Sequence, residues 1–172
     1  MVKNHLGILN AKMETRFQFL NRLYLPGYMG LRTEAYDKRS GIFDFTPTEP
    51  PVTVLSSKYM TPRGAHIFIS QAGLCLVEHV LVNESFPMDT QEYRSLTMDG
   101  RIKIVELTQR FRREISLDTD LQGRVELTNI RWGRLPMIMM DFDLANQAIS
   151  GSLVGVLAPR PMSQTNSDIL RN

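Results

Sequence analysis

Cysteine is nearly absent from this sequence, which has one, Cys75, among 172 residues. A single cysteine cannot close a disulfide within the chain, so packing alone must hold the fold and a reducing cytoplasm is expected. The three histidines, His5, His66 and His79, are scattered and give no zinc-like spacing. These shortages argue against a disulfide-rich secreted scaffold and against a Cys/His metal site.

Excess charge of one sign is also lacking, because 20 Lys and Arg face 18 Asp and Glu for a net charge of +2. That balance is too small to indicate nucleic-acid binding by itself. The first residues lack the apolar core of a secretory signal, and no uninterrupted apolar run is long enough for a bilayer span. We expect a soluble cytoplasmic protein with one domain at residues 13–160 and flexible termini at 1–12 and 161–172.

What the sequence does have is an apolar stretch from Tyr59 to Val82. Thr61–Gly64 predicts a turn, because Pro fixes φ and Gly permits positive φ. In Ile67–Val82, eleven of sixteen residues are Ala, Val, Ile, Leu, Phe or Cys, on all sides of a helical wheel. A helix that is apolar all round is a buried one, and this predicted helix is shorter than a bilayer span. Its polar exceptions are Ser70, Gln71, Glu78 and His79.

The residues before and after this helix have patterns of helices, strands and loops. They predict an amphipathic helix at Met13–Tyr24, strands at 30–37 and 41–46, a proline-rich rigid loop at Thr46–Pro51, an extended piece at Val52–Ser56 and a short surface helix at 89–98 capped by Asp89 or Thr90. The remaining chain predicts a meander of four strands, at Ile102–Phe111 with a bulge near Ile104, at Leu121–Thr128, at Leu135–Leu144 with both faces buried, and at Ile149–Leu157.

This order indicates an α+β fold in which a curled antiparallel sheet wraps one apolar helix, an arrangement that describes the hot-dog fold. Hot-dog domains commonly pair through strand edges, so we expect a homodimer or a larger homo-oligomer.

Several short motifs spread from Leu25 to Pro159 resemble one family of this fold, the mycobacterial long-chain fatty acyl-CoA thioesterases. These motifs are Pro26-Gly27-Tyr28, the segment from Tyr59 to Gly64-Ala65-His66, Leu74-Cys75, Arg110-Phe111-Arg112-Arg113 and Ser150-Gly151-Ser152-Leu153. The resemblance implies that two tyrosines, Tyr28 and Tyr59, surround a thioester. The family's amide side chain falls on Val77, so Gln71 or Glu78 must supply that polar group, or the chemistry is altered or absent.

Thioester chemistry needs a polarised carbonyl and a base or nucleophile aimed at it. Backbone N–H groups at a helix start are suitable donors, which points to Gly64, Ala65 and His66. His66 is also a candidate base, since its pKa is near neutral. Gln71 and Glu78 lie two helical turns apart on one stripe and are candidates for positioning water.

A basic cluster of Arg110, Arg112 and Arg113 is suited to the phosphates of coenzyme A or of a phosphopantetheine carrier. The thiol carrier belongs to the substrate, so no separate cofactor is expected, and an acyl-carrier protein is a candidate partner. The expected function is hydrolysis of fatty acyl thioesters. Open alternatives are dehydration, amine addition to an enoyl thioester, and acyl binding without catalysis.

Overall fold

The computed structural model describes residues 19–24, 30–47 and 59–158. Residues 13–18 of the first predicted helix, most of the proline-rich loop, the extended piece at Val52–Ser56 and both predicted flexible termini lie outside these residues. Residues 19–23 are helical and are labelled α1. The other elements are β1 (Leu31–Asp37), β2 (Ser40–Phe45), α2 (Pro62–Asn83), α3 (Thr90–Met98), β3 (Ile102–Phe111), β4 (Leu121–Arg131), β5 (Met137–Leu144) and β6 (Ile149–Leu157).

Helix α2 begins five residues earlier than predicted. Thr61 is its N-cap and accepts a hydrogen bond from the backbone N–H of Gly64 through its side chain. Pro62 occupies the first turn, where its fixed φ suits the helix and its missing N–H leaves no donor unsatisfied. The expectation of a separate turn at Thr61–Gly64 is therefore wrong, because these residues are the cap and first turn of α2 itself.

With 22 residues and a mean hydropathy of 1.5 over an 18-residue window, α2 is long and apolar enough to cross a membrane. It is the one such helix among the described residues. The prediction that this helix is shorter than a bilayer span is therefore wrong, because it counted only the sixteen residues Ile67–Val82. However, 72% of the same window is buried inside the fold, which is the pattern of a core helix.

All six strands form one antiparallel sheet in the order β1-β2-β4-β5-β6-β3. The hairpin β1–β2 continues into β4, and β3 returns to pair with β6 at the far edge. The predicted meander of four consecutive strands is thus wrong in its pairing, because α2 and α3 separate β2 from β3 and β3 crosses to the opposite edge. The curled half-barrel sheet with its long helix is the predicted hot-dog fold.

Close packing places α2 over the sheet through β4. Gly123 of β4 lies under the ring of Phe68, and a Cβ at Gly123 would come within 2.2 Å of Phe68 Cζ. The missing side chain therefore lets the fully buried Phe68 lie directly on the strand. Phe45 of β2 meets the same ring edge to face, with 5.3 Å between ring centroids. These contacts fix α2 against the β2–β4 half of the sheet.

The burial of the strands follows the sequence in part. Buried and exposed residues alternate along β4 from Leu121 to Thr128, as predicted. In β5 one face is buried, at Ile138, Met140, Phe142 and Leu144, while Asp141 on the other face is exposed, so burial on both faces is wrong. The bulge predicted near Ile104 is confirmed by a register shift between Ile104 and Glu106, and Asp89 caps α3 as expected.

Candidate active site

A cavity of about 320 Å³ lies where the sheet curls away from α2. Helix α2 forms one wall, strands β3, β5 and β6 form the other, and residues of α1 and α3 contribute to the lining. The wall residues are predominantly apolar, as in ligand pockets generally. They are Leu23, Tyr24, Ile69, Ser70, Gly73, Leu74, Val77, Tyr93, Thr97, Ile102, Ile104, Ile138, Met140, Leu153 and Gly155.

One face of α2 supplies the helical wall. Ser70, Gly73, Leu74 and Val77 recur at spacings of three and four residues, so they share a face. At Gly73 a Cβ would come within 3.0 Å of Met140 Cε, so glycine leaves room between the helix and β5. His66 lies four residues before Ser70, one turn earlier on the same face.

The cavity contains four hydroxyl groups, two of which are bonded to backbone carbonyls. Tyr93 donates to the carbonyl oxygen of Leu74 at 3.1 Å, and Thr97 donates to that of Tyr93 at 2.8 Å. The other two belong to Tyr24 and Ser70, which lie close enough for the Ser70 hydroxyl to act on the pKa of Tyr24. Burial raises the pKa of Tyr24 to about 12, so its phenol keeps its proton at neutral pH.

At the start of α2, the N–H groups expected to hold a carbonyl are already engaged. Gly64 donates to Thr61 Oγ1 at 3.3 Å, and Ala65 donates to the carbonyl oxygen of Thr61 at 3.1 Å. Both residues are buried. The expectation that these two N–H groups are free donors is therefore not met, because the threonine cap uses them.

His66 is exposed in the second turn of α2. Partial desolvation by the surrounding protein lowers the pKa of its imidazole from the ordinary value of 6.5. A His with a lowered pKa is neutral at pH 7 and can accept a proton. Its charge state suits a base, whereas His66 is not among the residues that line the cavity.

Tyr59 and the arginine cluster lie at the same end of the sheet as the start of α2. Tyr59, which is 49% exposed, forms an isolated antiparallel bridge with Ser116. Gln109 donates its side-chain amide to the carbonyl oxygen of Pro62 at 3.4 Å. The segment between Gln109 and Ser116, which carries the arginines, is thereby held beside the first turn of α2.

Within that segment the three arginines are exposed. Arg113 donates to the carbonyl oxygen of Ala145 at 2.8 Å, and Arg112 approaches the side-chain oxygen of Gln147 at 3.4 Å. Arg110 lies in β3, opposite Ser150 of β6. The cluster is a surface of positive charge next to the start of α2.

Gln71 lies on a different side of α2 from the cavity. It is fully buried, and its Oε1 accepts hydrogen bonds from the backbone N–H groups of Gly30 at 3.1 Å and Leu31 at 3.3 Å. The side chain thus fixes the start of β1. The sequence placed Gln71 at the substrate, whereas it does not line the cavity and its oxygen bonds the protein backbone.

Glu78 is 3% exposed and forms an ion pair with Arg94 of α3 at 2.5 Å. Helix α3 packs on this part of α2 and supplies Arg94, so the carboxylate that the sequence proposed for positioning water is buried in an ion pair. Glu78 does not line the cavity, whereas Val77, at the position of the family's amide, does. The helical wall is therefore apolar where the resemblance implies an amide.

Tyr28 lies outside the described residues. The sequence reasoning did not select Tyr24 and Ser70 as site residues. Ser70 was visible as a polar exception in the apolar helix, four residues from His66, but Tyr24 had been assigned only to the apolar face of the first helix. Their pairing depends on how α1 meets α2, which no spacing within one helix reveals. The described residues contain no group of three His, Cys, Asp or Glu that could hold a metal ion.

Three solved structures of known or proposed thioesterases share this fold at low sequence identity. A proposed thioesterase from Syntrophus aciditrophicus matches with a TM-score of 0.56 and 13% identity over 86% of this chain and 99% of its own. A hypothetical thioesterase from Streptococcus pneumoniae, solved with coenzyme A, matches with a TM-score of 0.53 and 7% identity over 83% of this chain and 95% of its own.

A point variant of a thioesterase from Pseudomonas aeruginosa matches with a TM-score of 0.51 and 14% identity over 75% of this chain and 81% of its own. No family model and no curated protein matches by sequence. These likenesses show the fold alone, which is the hot-dog fold that the sequence predicted.

Proposed function

We propose that this protein hydrolyses fatty acyl thioesters carried by coenzyme A or by an acyl-carrier protein. The observation that carries the proposal is the apolar cavity of about 320 Å³ between α2 and the sheet, which suits an acyl chain. The fold shared with thioesterases supports the same reaction class, although fold alone does not establish function. The mycobacterial long-chain fatty acyl-CoA thioesterases remain the family proposed as relatives.

In the proposed reaction His66 is the general base. It takes a proton from water, the resulting hydroxide attacks the thioester carbonyl carbon, and the carbon–sulfur bond breaks. The proton held by His66 then passes to the leaving thiolate, which yields a free acid and a thiol. The lowered pKa of His66 favours the neutral imidazole that this step needs. Tyr59 is proposed as a hydrogen-bond donor at the outer end of the site.

The carrier's phosphates are proposed to lie on Arg110, Arg112 and Arg113. The contact between Gln109 and Pro62 supports this placement, because it holds the arginine segment beside the first turn of α2 and hence near His66. Guanidinium groups bind phosphate oxygens in a bidentate manner, and they remain charged at all physiological pH values. A cytoplasmic location is part of the same proposal.

A homodimer formed through β3 is also proposed. β3 is a terminal strand of the sheet, so one of its edges has no partner strand in the described sheet. Val105 is 59% exposed, Phe111 39% and Ile104 36%, and Ile104 also lines the cavity. A second copy paired at this edge would cover these side chains and close that side of the cavity.

Acyl binding without hydrolysis is the second candidate. It is favoured by Val77 in the cavity wall and by the use of Gln71 and Glu78 in contacts within the protein. Dehydration of a 3-hydroxyacyl thioester or amine addition to an enoyl thioester would also need polar groups on α2, and Glu78 is paired with Arg94.

One experiment separates these candidates. The purified protein is incubated with acyl-CoAs of increasing chain length, while thiol release is followed by a chromogenic thiol reagent and binding by calorimetry. Hydrolysis predicts thiol release that His66→Gln lowers about 100-fold. Binding without thiol release would support the acyl-binding candidate, and absence of both would refute the proposal.

A further inference from the structure

Two hydroxyl groups in the cavity carry two donor hydrogens, and a hydrogen bond from one group to the other uses only one of them. Tyr24 and Ser70 each carry one hydroxyl hydrogen, and at most one of the two can be used between them. Neither side chain has another hydrogen-bond partner within residues 19–24, 30–47 and 59–158. The pair therefore keeps one donor for an acceptor in the cavity. Tyr93 and Thr97, in contrast, donate to backbone carbonyls.

We propose that the Tyr24–Ser70 hydroxyl pair donates the hydrogen bond that polarises the carbonyl of the bound acyl thioester. This inference rests on the proposed function, and it names catalytic residues for that reaction. An acyl thioester has one obligatory acceptor oxygen, its carbonyl, and the rest of a saturated chain is apolar. The spare donor and the single acceptor match each other.

The surroundings of the pair increase its effect. The cavity that the pair lines is otherwise mainly apolar, with Ile69, Leu74 and Val77 in its wall, so the site has low polarity. A donor fixed in a site of low polarity stabilises the developing oxyanion more than the same donor in water does. The start of α2, which is the other place for a donor, has its Gly64 and Ala65 N–H groups engaged by Thr61.

The position of Ser70 also places the carbonyl within reach of the proposed base. Ser70 and His66 are four residues apart on one face of α2, about 6 Å along the helix axis. That separation leaves room for a water molecule between the imidazole and a carbonyl carbon held at the hydroxyl pair. The chain beyond the carbonyl would then pass Gly73 and Val77 along the same wall.

The test uses a ketone analogue of acyl-CoA in which a methylene replaces the thioester sulfur, so that the carbonyl is present but cannot be hydrolysed. Infrared spectroscopy with a ¹³C-labelled carbonyl reports its hydrogen bonding. In the wild type we expect the band of the bound analogue to move to lower frequency than in water-free solvent. Because either hydroxyl alone still carries a hydrogen, the double variant Tyr24→Phe/Ser70→Ala should reverse that shift, whereas Ser70→Thr should retain it.

Thr97→Val is the matched control, because it removes a cavity hydroxyl that donates to the backbone, and the carbonyl band should stay shifted. In turnover, Tyr24→Phe/Ser70→Ala should lower kcat about 100-fold, the scale for loss of an oxyanion donor, with a smaller change in KM. Circular dichroism of each variant checks folding.

The outcomes separate the inference from the proposed function. An analogue that binds with the same carbonyl frequency in the wild type and in Tyr24→Phe/Ser70→Ala overturns the assignment of Tyr24 and Ser70 alone. Failure of both the analogue and acyl-CoA to bind overturns the proposed function and the inference with it. A shifted band without thiol release supports the carbonyl site while refuting hydrolysis.

Discussion

Gln71 Oε1 accepts a hydrogen bond from the backbone N–H of Gly30 at 3.1 Å in the core, although the two residues are 41 positions apart in the sequence. The same oxygen accepts from Leu31, so one side chain satisfies two buried N–H groups. This bond joins the central helix to the first strand and gives Gln71 a structural role that is distinct from the cavity.

Replacing Gln71 should therefore affect stability before it affects chemistry. Gln71→Ala leaves two buried N–H groups without their acceptor, and we expect the free energy of unfolding to fall by about 2–4 kcal/mol. Urea denaturation measures this. Gln122→Ala, which removes an exposed glutamine from β4, is the control and should change it by less than about 0.5 kcal/mol. Unchanged stability with lost turnover would instead place Gln71 at the substrate.

The Glu78–Arg94 pair should stabilise the packing of α3 on α2. Arg94→Leu removes the charged partner that the buried carboxylate has on α3, so the free energy of unfolding should fall by about 2 kcal/mol, less than for a fully buried pair because Arg94 is 37% exposed. In the double variant Glu78→Gln/Arg94→Leu much of the loss should be recovered. A double-mutant cycle by thermal or urea denaturation checks this, and additive losses would contradict it.

The activity should depend on the protonation of His66. A general base works only in its neutral form, so kcat/KM should fall as the pH drops through the pKa of this imidazole. Because burial lowers that pKa, the fall should be centred below 6.5. A pH profile of kcat/KM measures it, and the fall should disappear in His66→Gln. His79→Gln is the control, since His79 stacks on Tyr36 away from the cavity. Persistence of the fall in His66→Gln would exclude His66 as the base.

Chain-length preference should depend on Gly73. A larger side chain there would project toward Met140, so Gly73→Leu should fill part of the cavity and shift turnover toward shorter acyl chains. The measurement is kcat/KM across a series of acyl-CoAs. Gly133→Leu serves as the matched control, because a Cβ at Gly133 meets nothing within 4 Å, and the preference should stay as in the wild type. An unchanged preference in Gly73→Leu would place the acyl chain elsewhere.

Self-association should depend on the exposed apolar residues of β3. Val105→Glu places a charge where a second copy would pack, so sedimentation velocity should show a smaller species than the wild type. Leu135→Glu changes an equally prominent exposed residue outside the strands and should leave the wild-type species. A wild type that sediments as a monomer would refute the proposed dimer.

The sequence predicted those features that one element determines alone. Alternation along Leu121–Thr128 identified β4, the all-round apolar wheel of Ile67–Val82 identified a buried helix, and Asp89 marked the start of α3. Features that depend on contacts between elements were missed. The pairing of β3 with β6, the use of Gln71 by Gly30 and the ion pair of Glu78 with Arg94 each join residues distant in the chain.

The candidate site follows the same division. The sequence placed His66 at the start of α2, where its exposure and lowered pKa suit the proposed base. It also predicted that the N–H groups of Gly64 and Ala65 hold the substrate carbonyl. That expectation is not met, because both groups donate to Thr61, the N-cap residue. A threonine followed by Pro62 is a cap signature that the turn interpretation overlooked.

The strand order has a consequence for how this chain acquires its structure. In the described sheet β3 at residues 102–111 pairs with β6 at residues 149–157, so its ladder cannot form until about forty further residues have been synthesised. Since ribosomes add about 5–20 residues per second, the backbone groups of β3 that β6 will bind stay unpaired for seconds. The nascent chain is therefore most exposed to misassociation during that interval, after α3 has emerged and before β6 has.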